Sequence, residues 1–233
     1  MNLRFTAQID ASAETVAFAV KKGGVAGLAK ALGEPHGALL AAAAAQARFE
    51  GAAGTVAESA AIESGRTLRL VLVGIGDGSA ADAERGGAAL VARLQTSGVT
   101  SLAVDFAVAA AGGEAAVLHF ALGARLRSWR HDAYRTKLSE AQKISLKDIV
   151  ITSPFGDLGS AFAPLAAIAD GVALTQDLVA EPGNIIYPES FVERCQHLRE
   201  LGVVVDVLDE HQMKALGMGA LLGVAQGSVR PPR

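Results

Sequence analysis

The sequence predicts an α/β protein, a mixed or parallel sheet with helices on both faces, and three observations carry that prediction. Thr67–Gly74 (TLRLVLVG) is a nearly continuous run of leucine and β-branched residues, the composition of a strand covered on both sides. Strand-like and helix-like segments then alternate through Ser101–Ala107, Glu114–Trp129 and Asp148–Thr152, the order that builds a sheet with helical crossovers. A chain of 233 residues with 51% hydrophobic content can bury a substantial core and has length for one or two domains.

The elements follow in order. Leu3–Ile9 and Thr15–Lys21 are short alternating or β-branched runs and predict strands that open the sheet. His36–Phe49 is alanine-rich with no breaker after Gly37, which favours a helix. After Thr67–Gly74 the turn Gly76-Asp77-Gly78-Ser79 offers Asp77 or Ser79 as N-cap to a helix running to about Gln95. Gly98 ends that helix and Ser101–Ala107 is another buried strand. Glu114–Trp129 sets Val117, Leu118, Ala121, Leu122 and Leu126 on one helical face, and Asp148–Thr152 (DIVIT) is the last short strand of the block.

Ser153-Pro154-Phe155-Gly156 breaks the alternation. Leu158–Val179 predicts one long helix with Pro164 in its first turns, where proline is tolerated, bridging two domains. Glu181-Pro182-Gly183-Asn184 ends it and a helix opens after Pro188. A strand at Val203–Leu208, a short helix around Glu210–Leu216 and a strand at Leu221–Val224 are expected beyond. The division that follows is 1–155, 156–181 and 182–233, the last reading as the opening of an α/β domain and not a finished one.

Composition narrows the function classes. With 21 basic and 24 acidic residues the chain has no overall footprint for nucleic acid, and no basic run suggests a polyanion arm. A single cysteine, Cys195, excludes an intramolecular disulfide and fits a reducing compartment. The N-terminus MNLRFTAQID lacks the apolar region of a signal peptide. Gly37–Ala45 is too short to span a bilayer and Leu158–Leu174 is interrupted by Pro164 and Asp170, so the expectation is a soluble cytoplasmic protein with no membrane partner.

Five groups of residues invite chemistry, and each has a plainer structural reading that we prefer. Gly74-Ile75-Gly76-Asp77-Gly78, between a strand and a helix, has the setting of a phosphate-binding turn, but the glycine spacing is incomplete and Asp105 falls too late for the usual acidic partner about 20 residues on. A tight βα turn is the alternative. Glu189, Glu193 and His197 stand at i, i+4 and i+8 after Pro188, a spacing that can share a metal. The set has one imidazole, lies among Arg194, Arg199 and Glu200, and reads as a solvated face. Trp129-Arg130-His131-Asp132 joins an imidazole to a carboxylate with no nucleophile beside it. Cys195, mid-helix near Arg194 and His197, reads as a packing residue rather than a nucleophile. Arg230-Pro231-Pro232-Arg233 reads as a turn after a strand rather than a recognition tail. On the residues alone, no catalytic, cofactor-binding or metal-binding set is assigned.

The phrases DLVAEPGNIIYPESF, LGVVVDVLDEHQMKALGMGALLGVAQGS and the final RPPR resemble the linker region of the leucyl aminopeptidases, the cytosol aminopeptidase or M17 family. LRLVLVGIG, RGGAALVARL and LRSWRHDAYRTKL resemble that family's N-terminal domain, so the likeness covers most of the chain and is densest from Asp177 onward. The resemblance implies a small macrodomain-like N-terminal α/β domain, a linker helix, and then the first elements of an incomplete catalytic domain. It implies a metalloexopeptidase that releases N-terminal amino acids, leucine favoured, from peptides. Such an enzyme uses two divalent metal ions, Mn or Zn among them, and assembles as a homo-hexamer. The family's VGKG-, DTGG- and NAEGR-type motifs lie downstream of a GQGS-type segment, here Gly227-Ser228. This chain is therefore expected to bind no metal itself and to be structural and inactive alone. Ala180 stands where the family phrase has asparagine, so hydrogen bonding near the helix end is expected to differ. Two other classes compete. One is a macrodomain-like module for ADP-ribose or a nucleotide. The other is a DNA-binding accessory role, which would need a basic face from Arg125, Arg127, Arg130, Arg135 and Lys137 and is disfavoured by the near-neutral charge.

Overall fold

The computed structural model describes residues 1–10, 12–63, 65–108 and 111–233. It divides into two compact units, Met1–Ala173 and Leu174–Arg233.

The first unit carries strands β1 (Asn2–Thr6) and β2 (Thr15–Val20), helices α1 (Val25–Leu32) and α2 (His36–Ala47), and strands β3 (Val56–Glu63) and β4 (Arg66–Gly74). Helix α3 (Ala80–Leu94), strand β5 (Ser101–Asp105), helix α4 (Glu114–Arg127) and strand β6 (Asp148–Thr152) follow. The six strands form one sheet in the order β1-β6-β5-β2-β4-β3. All neighbours are parallel except β3, which runs antiparallel to β4. β2 sits inside the sheet and is buried at every residue, the reason its sequence TVAFAV is apolar on both faces.

Each face has its own core. On one, Ala17, Val71, Val73, Val104 and Ile151 meet Leu90, Val91 and Leu94 of α3 and Val117, Phe120 and Ala121 of α4. On the other, Val16, Phe18, Val20, Leu70 and Leu72 meet Leu28 of α1 and Leu40 and Ala44 of α2. The predicted class, a mixed sheet with helices on both faces, is what the molecule has. Sequence reading missed α1 and β3. VAESAAIE carries two glutamates and three alanines, a poor strand composition, and becomes a strand because β4 offers its ladder. β1 stops at Thr6, short of the expected Ile9, and Ile9 instead packs against the second core.

Helix α5 (Gly159–Ala180) runs across the division between the units. Its length and mean hydropathy of 1.3 alone would let it cross a membrane. Two of its side chains, Phe162 and Ala169, are buried in the first core, Phe162 meets Phe5 edge-on at 5.6 Å, and Asp170 pairs with Arg125 at 2.7 Å, while Ile168 and Val179 stay 57% and 80% exposed.

The second unit contains helices α6 (Pro188–Cys195), α7 (Glu210–Ala215) and α8 (Gly219–Ala225), with a 3-10 segment at Gln196–Leu201. Two expectations are corrected here. Val203–Leu208 is not a strand but irregular backbone, and Val204 is 83% exposed. β-branched residues extend a chain, but a strand also needs a neighbour to accept its ladder, and all described strands belong to the first unit's sheet. Leu221–Val224 is helical, inside α8. Short apolar runs do not distinguish helix from strand by pattern, and alanine and leucine favour the helix.

Candidate functional site

The βα turn after β4 is the first place to look for a ligand, since it joins a strand's carboxyl end to a helix N-terminus. Gly76 and Gly78 have φ of 57° and 85°, conformations that require glycine. The amides that would cradle a phosphate are already engaged. Gly76 donates to the Gly51 carbonyl at 3.0 Å and Gly78 to that of Ile75 at 2.9 Å. Asp77 donates to the Asp82 carboxylate at 3.2 Å, and Ser79 to the Asp77 carboxylate at 2.8 Å. Ser79 is the N-cap of α3, its hydroxyl accepting from the Asp82 amide at 3.3 Å. The bond from Ser79 holds the Asp77 carboxyl below the usual carboxylate range, with Lys21 adding a smaller pull. Two carboxylates thus occupy the space an anion would take, which favours the tight-turn reading. Asp105, at the end of β5, accepts from Ala107 and Val108 at 2.6 and 2.9 Å and serves its own loop.

The three α6-region residues do not converge. The helix ends at Cys195, so His197 lies on a 3-10 turn and no longer continues the i, i+4 face. Its Nδ1 faces the Arg194 carbonyl. Glu189 is turned toward Arg233 at 3.8 Å. Glu193 and His197 share a shallow groove with Asp177, Ser190 and Arg194, without Glu189. Among the described residues no three His, Cys, Asp or Glu side chains stand together as metal ligands do. The described residues therefore do not form the donor set that a two-metal centre would need. Cys195 is a free, half-buried thiol.

In Trp129-Arg130-His131-Asp132, Asp132 pairs with Arg130 at 2.9 Å and with Arg135 at 3.7 Å, not with the imidazole. His131 instead lies between rings, stacked with Trp129 at 6.4 Å and edge-on to Tyr134 at 5.6 Å, its Nε2 buried with no hydrogen-bond partner. No dyad forms. The same ion pairs, with Arg125–Asp170, tie three of the five cations proposed for a basic face to the protein's own carboxylates. The Arg230–Arg233 tail folds back on its own unit: Arg230 stacks over the Tyr187 ring at 4.0 Å.

One cavity went unnoticed in the sequence, a groove of about 780 Å³ bordered by β1, the segment after it, and the starts of β2, β4 and β5. Its residues are scattered from Arg4 to Val150 and share no spacing, so no motif announces it.

The comparisons with known proteins agree with one another. Residues 16–138 match the profile of the cytosol aminopeptidase family's N-terminal domain, and residues 173–233 match that of its catalytic domain. A probable cytosol aminopeptidase of Rhizobium etli is 39% identical over 206 residues, 86% of this chain and 41% of the relative. One from Gluconobacter oxydans is 51% identical over 113 residues, 48% of this chain and 23% of the relative. A solved tomato leucine aminopeptidase mutant has the same fold over 100% of this chain and 49% of its own, with a TM-score of 0.79 and 21% identity. The bottromycin maturation enzyme BotP in complex with Mn gives 0.70 at 24% identity, over 94% of this chain and 44% of its own. The chain thus spans about 41% of the length of the first curated relative, and with the N-terminal profile matched over more than half of its residues it belongs to the cytosol aminopeptidase family.

Proposed function

We propose that this chain supplies the N-terminal portion of a metal-dependent aminopeptidase that releases N-terminal amino acids from peptides, leucine favoured. In this reading it contributes architecture rather than catalytic groups. The observation that carries the reading is the pair of family matches, N-terminal domain and catalytic domain, in the family's order along one chain. The arrangement we propose is a macro-like domain over 1–155, a linker helix over 156–181 and the start of the catalytic domain over 182–233. Divalent metal use is supported by the manganese named for BotP, and a cytoplasmic setting by the relatives' name. In this reading the ligands for two such metals come from outside this chain, in keeping with the lack of any grouping of three His, Cys, Asp or Glu side chains among the described residues. A homo-hexamer is part of the proposal through the resemblance, and the exposed apolar side chains of the second unit, such as Val224 and Val229, are surface that assembly would cover.

The test joins this chain to the C-terminal part of the Rhizobium etli relative and measures leucine-p-nitroanilide hydrolysis with added Mn²⁺. Turnover by the joined protein and none by the chain alone is the expected result. Turnover by the chain alone, lost on Glu193→Gln or His197→Ala, would reverse the assignment. The nucleotide reading is disfavoured by the filled turn at Gly76–Ser79, and the DNA reading by the paired arginines.

A further inference from the structure

Helices α1 and α2 pack on the β2–β4–β3 half of their sheet face, through Leu28, Leu40 and Ala44. On the same face, β1, β6 and β5 turn out Arg4, Val150 and Ala103 in register, and these three border the 780 Å³ groove. That volume lies in the range of small-molecule sites, roughly 300–1,000 Å³. The groove is lined by two cations, Arg4 and Arg69, and two carboxylates, Asp10 and Glu14. They are not equally free. Arg69 is held by Glu58 through two bonds of 2.8 and 2.5 Å, and Asp10 accepts the Ser12 amide and hydroxyl, both at 2.8 Å. Arg4 and Glu14 form no salt bridge among the described residues, and both are exposed to the groove. The Ser12 bonds leave Asp10 charged, so the groove offers Arg4 as its cation, Asp10 and Glu14 as its anions, and a small apolar floor, a set that suits a ligand carrying both charges. A nucleotide or other polyanion would meet Asp10 and Glu14 with only Arg4 to oppose them.

We propose that this groove binds a zwitterion, a free amino acid or an unblocked peptide of two or three residues, with its carboxylate on Arg4, its ammonium on Glu14 and its side chain over Ala103 and Val150. Thr6 borders the same space, and its hydroxyl, which donates to the Gln8 carbonyl at 3.0 Å, can still accept from the ammonium. Both ion pairs lie at the surface, so binding is weak, with a Kd on the order of 1 mM, and weakens with salt.

The assignment does not rest on the aminopeptidase reading, and it is tested on the full chain by NMR titration of backbone amides. Leucine, Leu-Gly, N-acetyl-leucine amide and ADP-ribose are the probes. Saturable shifts around Arg4, Glu14 and Ser101 with leucine or Leu-Gly are expected, lost with the doubly blocked N-acetyl-leucine amide and weakened at least tenfold in Arg4→Gln and in Glu14→Gln. Whichever zwitterion binds more tightly identifies the ligand's length. No saturable shift with either zwitterion overturns the proposal, as does equal response to the blocked compound, ADP-ribose binding at these amides, or undiminished binding in folded variants. Should a variant fail to fold, the blocked-compound comparison on the natural chain decides.

Discussion

Gly86 and Gly87 sit in the middle of α3, where each costs the helix about 1 kcal/mol relative to alanine. Gly86 faces the end of β4, where a Cβ would stand 2.9 Å from the Gly74 carbonyl oxygen, and Gly87 faces the neighbouring helix. A Cβ on Gly87 would stand 2.0 Å from the Phe120 carbonyl oxygen, and one on Gly123 of α4 would stand 1.9 Å from that of Glu84. The two helices approach backbone to backbone, and only hydrogen fits between them. Gly87→Ala or Gly123→Ala therefore forces the pair apart and is expected to cost roughly 1–3 kcal/mol. At about 2–4 °C per kcal/mol for a unit of this size, the melting temperature should fall by several degrees in circular dichroism. An unchanged melt would mean the helices are not in this contact.

Glu58 ties a strand to a helix. It bridges Arg69 of β4 at 2.5 Å and Arg93 of α3 at 2.5 Å. Burial is the largest influence on its carboxyl and pushes the pKa up, but the bonds from Arg93 and Arg69 together outweigh it and hold it below the ordinary glutamate value. A carboxyl lowered in the folded state contributes stability above its unfolded pKa and loses it as pH falls through the folded one. Glu58→Gln should therefore lower stability at neutral pH and flatten the acid limb of the stability profile below the ordinary glutamate pKa, as read by urea melts across pH. An acid limb as steep as before would remove this bridge from the account.

At the scale of elements, the sequence was most readable where a segment carried its own reason to fold. β4, β5 and β6 are apolar enough to announce a buried strand, α3 has a serine cap, and both α3 and α4 carry buried apolar residues. β3 was invisible because its strand character is lent by β4, and α1 because VAGLAKAL is one short amphipathic stretch after two glycines. Val203–Leu208 failed in the other direction, strand-like in composition with no partner strand. Amides of Val203–Leu208 are expected to exchange hydrogen freely while those of Leu70–Val73 stay protected. By the same logic Val204→Pro should be tolerated and Leu72→Pro should not. Protection across Val203–Leu208 would show that this segment pairs after all. The candidate site was legible only as a set of negatives, since spacing along the chain says which residues could converge but not that Glu189 turns to Arg233 or Asp132 to Arg130.

At the scale of the whole molecule the two units differ in how their apolar residues are used. The first buries two cores around one sheet, whereas in the second Met213 is the buried apolar side chain and Leu201, Val204, Leu216, Val224 and Val229 are exposed. A shortened chain of Met1–Ala180 should melt at the temperature of the full chain, and it should bind less of a hydrophobic dye than the full chain does. A lower melting temperature would place part of the first unit's stability in the second.

This chain belongs to the cytosol aminopeptidase family, and in the function proposed for it here it contributes architecture rather than metal ligands. Calorimetric titration of the purified 233-residue chain with Mn²⁺ addresses it most directly. No stoichiometric binding is expected, only weak, salt-sensitive heats from surface carboxylates. Two tight equivalents of Mn²⁺, abolished by Glu193→Gln or His197→Ala, would contradict it and place a working metal centre in the second unit.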